Sequence, residues 1–121
     1  MEEIYKLKVL SESTDGKAIK VDQTSGGGSG TDVHTTSSGK MERVTLVAYN
    51  TDSSARTLSV EWGGTTADDT LSFDLEANSE PRTIFSGLLG GTGTYSIAAY
   101  ASAANVVYIL GQSIEVEEQT T

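Results

Sequence analysis

The sequence predicts an antiparallel β-sandwich, or a related barrel of jelly-roll or immunoglobulin-like topology, with eight or nine short strands. Apolar and polar residues alternate with a period of two from Thr57 to Trp62 and again from Leu71 to Glu76. Turn residues recur about every ten residues, and no segment shows a helical period. One Pro, 13 Gly and many Thr, Ser and Val are typical of short strands joined by turns.

The 121 residues are expected to form a single domain with one glycine-rich interruption. We predict an N-terminal hairpin or arm over residues 1–25, a glycine-rich loop over 26–30, and the β-sandwich over 31–121. The chain has no Cys, which excludes a disulfide framework and a thiolate metal site. A chain of this length buries on folding about two thirds of the surface that its unfolded form exposes, so it can fold without a disulfide or a bound metal.

The first predicted strand, residues 4–10, has the pattern of a half-exposed strand at the edge of a sheet. Lys6 and Lys8 alternate with apolar residues, and Lys on an edge strand discourages unwanted pairing. After a turn, Ile19 and Val21 are in phase and predict a short second strand that can form a hairpin with the first. The apolar face of the first strand carries Tyr5, Leu7 and Val9.

A second hairpin is predicted at the centre of the fold. Two apolar runs, 43–50 and 57–64, flank a short polar cluster over 51–56, which is the sequence form of a β-hairpin. Both faces of the first run are apolar, so we expect this strand to be covered on both sides and central in its sheet. Further strands are predicted at 31–36, 71–76, 82–85, 95–100 and 106–110, the last continuing through Ile114 and Val116.

The net charge of −9 is unevenly distributed. Residues 1–20 are balanced, whereas residues 44–121 carry a net charge of −8. Such a body repels a phosphate backbone and gains nothing from counterion release, so we expect no direct binding to nucleic acid. No basic and apolar leader is visible near residue 1, and no apolar run approaches the ~20 residues that cross a bilayer. We therefore expect synthesis in a cytoplasm and no contact with a membrane.

Residues that could perform catalysis or hold a metal are sparse. His34 has no partner at a metal-ligand or triad spacing, so a structural role is favoured. Asp68 and Asp69, near Asp74, have the oxygen chemistry that Ca²⁺ prefers but match no EF-hand pattern, and solvated loop acids are favoured there. The same acids together with Glu61 could supply the carboxylate pair of a glycosidase, but no pattern brings two of them together. We expect no enzymatic activity and no cofactor.

Four aromatic residues allow two interpretations of their role. They could form a platform that stacks on sugar rings, but their in-phase strand positions are more typical of core packing, which we favour. They are Trp62, Tyr95, Tyr100 and Tyr108.

Several segments resemble small virion structural proteins of tailed bacteriophages. These are the runs 30–35, 44–51 and 58–64, and the run 99–111, in which an Ala-rich turn leads into Val-Val-Tyr-Ile-Leu-Gly. The resemblance covers most of residues 30–111 and lies in the pattern of predicted strands and turns. It implies a capsid decoration (accessory head) protein, often a trimer over the local threefold axes of the shell, that clamps neighbouring subunits of the major capsid protein on the virion surface.

The N-terminal strand is the expected contact with the capsid, because an edge strand with balanced local charge can add to an exposed sheet edge of another protein. The residues of this hypothesis are Ile4, Tyr5, Lys6, Leu7, Lys8, Val9 and Leu10. Two alternatives stay open. One is a head-to-tail joining or tail protein, and the other is a carbohydrate-binding or adhesin module of a phage head fibre.

Overall fold

A computed structural model describes residues 2–37, 39–89 and 93–119 of the protein. These residues form nine β-strands and a single 3₁₀ turn at Ala67–Asp69, without an α-helix. The strands are β1 (Glu2–Val9), β2 (Ile19–Lys20), β3 (Thr31–Thr35), β4 (Met41–Asn50), β5 (Arg56–Trp62), β6 (Thr70–Leu75), β7 (Arg82–Leu89), β8 (Ser96–Ala101) and β9 (Val107–Gln119).

The strands form two antiparallel sheets packed face to face. Sheet A has the order β1-β9-β4-β7, and β2 also pairs with β9. Sheet B has the order β3-β8-β5-β6. The predicted antiparallel β-sandwich is therefore confirmed.

The core lies between the sheets and follows from the alternation in the sequence. On β4, Val44, Leu46 and Ala48 face inward, and on β5 Leu58 and Val60 do the same. Successive side chains of a strand point to opposite faces, so one apolar residue in two is enough to fill the interior. The other fully buried apolar residues include Leu10, Val21, Val33, Leu75, Ile97, Ala99, Ala101, Val107 and Ile109.

The hairpin predicted for the two apolar runs is wrong, because β4 belongs to sheet A and β5 to sheet B. Both edges of β4 are already occupied, one by β9 and the other by β7, so β5 has no edge to pair with. Asn50 fixes the crossing between the sheets, since its side-chain amide donates to the carbonyls of Ser54 and Glu76 at 2.9 and 3.1 Å. The predicted central position of β4 is confirmed.

The first two strands also do not form a hairpin with each other. Both pair with the 13-residue strand β9, β1 along residues 112–119 and β2 along residues 108–109. Leu10, between them, is buried at 1% exposure and draws the chain into the core, which prevents a tight turn back onto β1. The edge position predicted for β1 is confirmed among the described strands.

Gly111 sets how closely β9 approaches β4, and its substitution tests the packing of sheet A. A Cβ at this position would overlap the carbonyl oxygen of Thr45 and approach Leu46 Cδ2 to 3.1 Å. We expect Gly111→Ala to lower the free energy of unfolding by about 1 to 3 kcal/mol, because the backbone of β4 must move. Gly93→Ala, where a Cβ meets nothing within 4 Å, is the matched control. Equal urea midpoints for the two variants would contradict this packing.

Candidate functional site

A group of polar side chains occupies the interior of the sandwich beneath β1. We call it the polar cluster, and it consists of Lys8, His34, Glu42, Ser113 and Glu115. Glu42 and Ser113 are fully buried, on the inner face of sheet A. Glu42 is not among the site residues predicted from the sequence, although its phase with Val44 and Leu46 is a signal that it points inward.

Glu42 is the centre of the polar cluster. Its Oε1 accepts hydrogen bonds from Ser113 Oγ at 2.6 Å and from His34 Nε2 at 2.8 Å. Its Oε2 accepts from the backbone N–H of Ser37 at 2.7 Å and from Lys8 Nζ at 3.3 Å. Four donors around one carboxylate satisfy a charge that would otherwise be costly to bury.

The electrostatics of the cluster favour an ionised carboxylate. Burial raises the pKa of Glu42, but the hydrogen bonds from Ser113, Ser37 and the other donors outweigh it and lower the pKa to about 2. Burial likewise opposes the charge of Lys8, yet its bonds to Glu115 at 3.0 Å and to Glu42 hold the pKa of Lys8 above its ordinary value. The cluster is thus a set of charge-assisted hydrogen bonds.

His34 has a structural position in this arrangement. Its Nδ1 accepts the backbone N–H of Ser11 at 2.9 Å, so the network assigns the proton to Nε2, which donates to Glu42. The ring is 1% exposed and links the turn after β1 to sheet A. This geometry agrees with the structural role predicted for His34.

The opposite side of sheet A at the same place is apolar and open to solvent. We call it the outer apolar face, and it consists of Tyr5, Leu7, Val9, Met41, Ile114 and Val116. Cross-strand pairing puts Tyr5 beside Val116 and Leu7 beside Ile114. Met41 pairs with Val116 from the other side. Tyr5, Leu7 and Val9 are 60%, 71% and 52% exposed.

This end of sheet A therefore has its polarity largely reversed, with a buried carboxylate inside and mainly apolar residues outside, where Arg43 is an exposed charge beside Ile114. The alternation of β1 follows the prediction, but it is the apolar side that faces solvent, while Lys8 turns inward to Glu42 and Glu115. Soluble monomers rarely expose a contiguous apolar patch of several side chains, and such patches mark interaction sites. The outer apolar face is the candidate functional site.

The seven residues of the capsid-contact hypothesis separate into three groups. Tyr5, Leu7 and Val9 are exposed on the outer apolar face. Lys8 belongs to the polar cluster, Lys6 lies on its side of β1, and Leu10 is part of the core. Leu10 is therefore removed from the hypothesis, because a residue buried inside the sandwich does not reach a partner. The side chain of Ile4 lies outside the described part of the protein.

The acids considered for a metal or a glycosidase pair are not brought together. Asp68 is exposed, and Asp69 accepts a hydrogen bond from Thr66 Oγ1 at 2.8 Å. Glu61 is buried at 1% exposure on the outer side of sheet B, which the sequence did not indicate. Within residues 2–37, 39–89 and 93–119, no three His, Cys, Asp or Glu side chains form a group suited to a metal ion.

The core prediction for the four aromatic residues is only partly correct. Trp62 packs against the core, edge-on to Phe85 at 5.3 Å, and Tyr95 lies 6.3 Å from Trp62. Tyr100 and Tyr108 instead lie on the outer faces, because they alternate with buried neighbours on β8 and β9. Tyr108 stacks on Tyr49 at 5.4 Å on the outer side of sheet A.

Comparison with known proteins adds one structural neighbour. The sequence matches no protein family profile and no curated protein. Among solved structures, the chain aligns with the CBM36-1 domain of a multidomain xylanase from the hindgut metagenome of Trinervitermes trinervoides. The alignment has 14% identity and a TM-score of 0.46, and it covers 98% of this chain and 100% of that domain. None of the helical residues that the structure describes forms a segment long and apolar enough to span a bilayer.

The depressed pKa of Glu42 predicts an acid-sensitive fold. The pKa is about 2 in the folded protein against an ordinary value of 4.5, so the contribution of this carboxylate to stability is complete above pH 4.5 and declines as pH falls toward 2. Glu42→Gln should lower the free energy of unfolding by about 3 kcal/mol near neutral pH, because its donors lose a charged acceptor. It should also flatten the pH profile.

Urea unfolding between about pH 7 and about pH 2.5 measures both effects. Glu80→Gln, at an exposed position, is the control and should follow the unsubstituted protein. Parallel pH profiles for Glu42→Gln and the unsubstituted protein would contradict the assignment of acid sensitivity to this carboxylate.

Proposed function

We propose that this protein is a capsid decoration protein of a tailed bacteriophage, which binds the outside of the major capsid protein shell and stabilises the head. The contact is the outer apolar face, with β1 at its edge. We further propose that the protein assembles as a trimer on the virion surface.

The reversed polarity of sheet A is the observation that carries this proposal. Sheet A has charged residues on its inner side at this end and Tyr5, Leu7 and Ile114 on its outer side. The outer side is therefore suited to burial against a partner protein. Burying one Leu-sized side chain contributes about 1.5 to 3 kcal/mol, so a partner over this face gains a substantial free energy. Surface burial by a shell protein needs no catalytic residue.

The edge of β1 supplies a second mode of attachment. Among the described strands β1 pairs only with β9, which puts it at the edge of sheet A. Strand addition would place a capsid segment beside Tyr5 and Leu7, where its side chains extend the same apolar surface. The acidic charge, concentrated in residues 44–121, lies mostly outside β1 and favours solubility before assembly.

Substitution of one exposed leucine tests the proposal. Leu7→Asp should weaken binding to heads that lack this protein by at least about tenfold, because a carboxylate would be buried in an apolar contact. Leu71→Asp is the matched control, since Leu71 is 43% exposed on β6 of the other sheet. Binding is measured by cosedimentation with heads of the encoding phage, and circular dichroism verifies that both variants fold.

Equal binding of the two variants would overturn the contact, and no binding by the unsubstituted protein would overturn the decoration role. The number of copies per particle distinguishes a decoration protein from a head-to-tail joining or tail protein of the same virion. A ratio near one per major capsid subunit supports decoration, whereas a few copies per particle indicate a head-to-tail joining or tail protein.

A carbohydrate-binding module is the second candidate, favoured by Tyr100. This residue lies on the outer side of sheet B beside a cavity of about 390 Å³ that Thr70 and Ser72 also line. An aromatic ring next to hydroxyl groups is suited to stacking on a sugar and hydrogen bonding to it.

A glycan array distinguishes this candidate from the first. If sugar binding is the function, Tyr100→Ala should lose the array signal while Tyr108→Ala, on the opposite sheet, retains it. An array without signal for the unsubstituted protein eliminates the candidate.

A further inference from the structure

The carboxylate of Glu61 is buried on the outer side of sheet B. Leu58 and Val60 of β5 face the core, so the alternation of the strand turns Glu61 away from it. The side chain is nevertheless only 1% exposed. Its cover is the glycine-rich segment, residues 26–30, whose Gly26 and Gly30 lie directly against it.

The two oxygens of Glu61 have different surroundings. Oε2 accepts the backbone N–H of Gly27 at 3.0 Å. Oε1 is shielded from solvent and has no hydrogen-bond donor among the residues that the structure describes. A buried carboxylate oxygen without a donor or a cation is strongly disfavoured, so this atom indicates a missing positive partner.

A cavity of about 270 Å³ lies on the side of Oε1. Gly30 lines it, and the Cβ position of Gly30 is 3.2 Å from Glu61 Oε1, whereas Gly26 and Gly27 line a different cavity on the side of Oε2. A side chain at residue 30 would also meet the Ala99 carbonyl oxygen at 3.1 Å. Glycine thus lets the backbone pass close to the carboxylate and keeps this space open.

A second carboxylate faces the same cavity. Asp32 and Glu61 both pair with Ala98, one from each side, and therefore flank it on one face of sheet B. Their Cα atoms are about 10 Å apart, which is two strand spacings. The small side chain of Ala98 leaves the space between them unfilled. The hydroxyls of Thr65 and Ser96 also line the cavity.

We propose that Glu61 and Asp32 bind one Ca²⁺ ion in the cavity over Ala98. The side chains that line the cavity offer oxygen and neither nitrogen nor sulfur, which are ligands for Ca²⁺ and not for zinc or copper. Two carboxylates balance the charge of one divalent ion.

Calcium suits this site better than magnesium does. Loop residues and two strand carboxylates form an irregular set of ligands, which Ca²⁺ accepts, whereas Mg²⁺ requires a near-ideal octahedron. The proposed site is separate from Asp68, which is exposed and does not line the cavity. It is also independent of the outer apolar face, which lies on the other sheet.

The test is a calcium titration of the full chain after treatment with EDTA. We expect saturable binding of one Ca²⁺ by calorimetry and a rise of several degrees in Tm at about one hundred times the Kd. Terbium provides an independent readout, because Tyr100 and Trp62 near the site should sensitise its luminescence. Glu61→Gln and Asp32→Asn should each raise the Kd at least tenfold.

Asp68→Asn, at an exposed position that does not line the cavity, is the control and should leave the Kd unchanged. Without calcium, Glu61→Gln should be at least as stable as the unsubstituted protein, because it removes the unpaired charge. If Glu61→Gln does not fold, the Kd of Asp32→Asn for calcium is the test, because Asp32 is exposed and its substitution should leave the fold intact. The proposal is overturned by an absence of calcium binding, by an unchanged Kd in Asp32→Asn, or by loss of binding in Asp68→Asn.

Discussion

An ionised carboxylate between two sheets is the constraint on which this architecture depends. Glu42 draws donors from β1, β3, β9 and the segment after β3, so one side chain joins the edge strand and sheet A to sheet B. A hydrocarbon core stabilises these elements through packing, without directional bonds. The directional bonds to Glu42 fix Lys8 inward, and the neighbouring positions on β1 then have to face outward.

This arrangement explains why the outer surface of β1 is apolar. A strand has two faces, and the period of two assigns alternate residues to each of them. With Lys8 committed to the interior, Leu7 and Val9 lie outside, in register with Ile114 and Gln112 of β9. The same alternation that places an apolar face in the core elsewhere in the fold places it in solvent here.

Much of the fold is visible in the sequence because alternation is a local property. Strand positions and the central place of β4 follow from it. Pairing does not, because it depends on which sheet edges are free, and both edges of β4 are taken by strands distant in sequence. The candidate sites divide in the same way. The phase of Glu42 marks it as inward, but Glu61 is buried by a segment 34 residues earlier in the chain, which no local pattern reveals.

The pairing of β1 with β9 also determines the order of events as the chain folds. The register joins Glu2 to Gln119, so β1 has no partner until nearly the whole described chain has left the ribosome. Closing such a long loop is slow, and the nascent chain meanwhile displays an open strand with Tyr5 and Leu7 on it. The apolar surface of this strand is therefore a risk for aggregation during synthesis, and the two lysines of the strand moderate that risk.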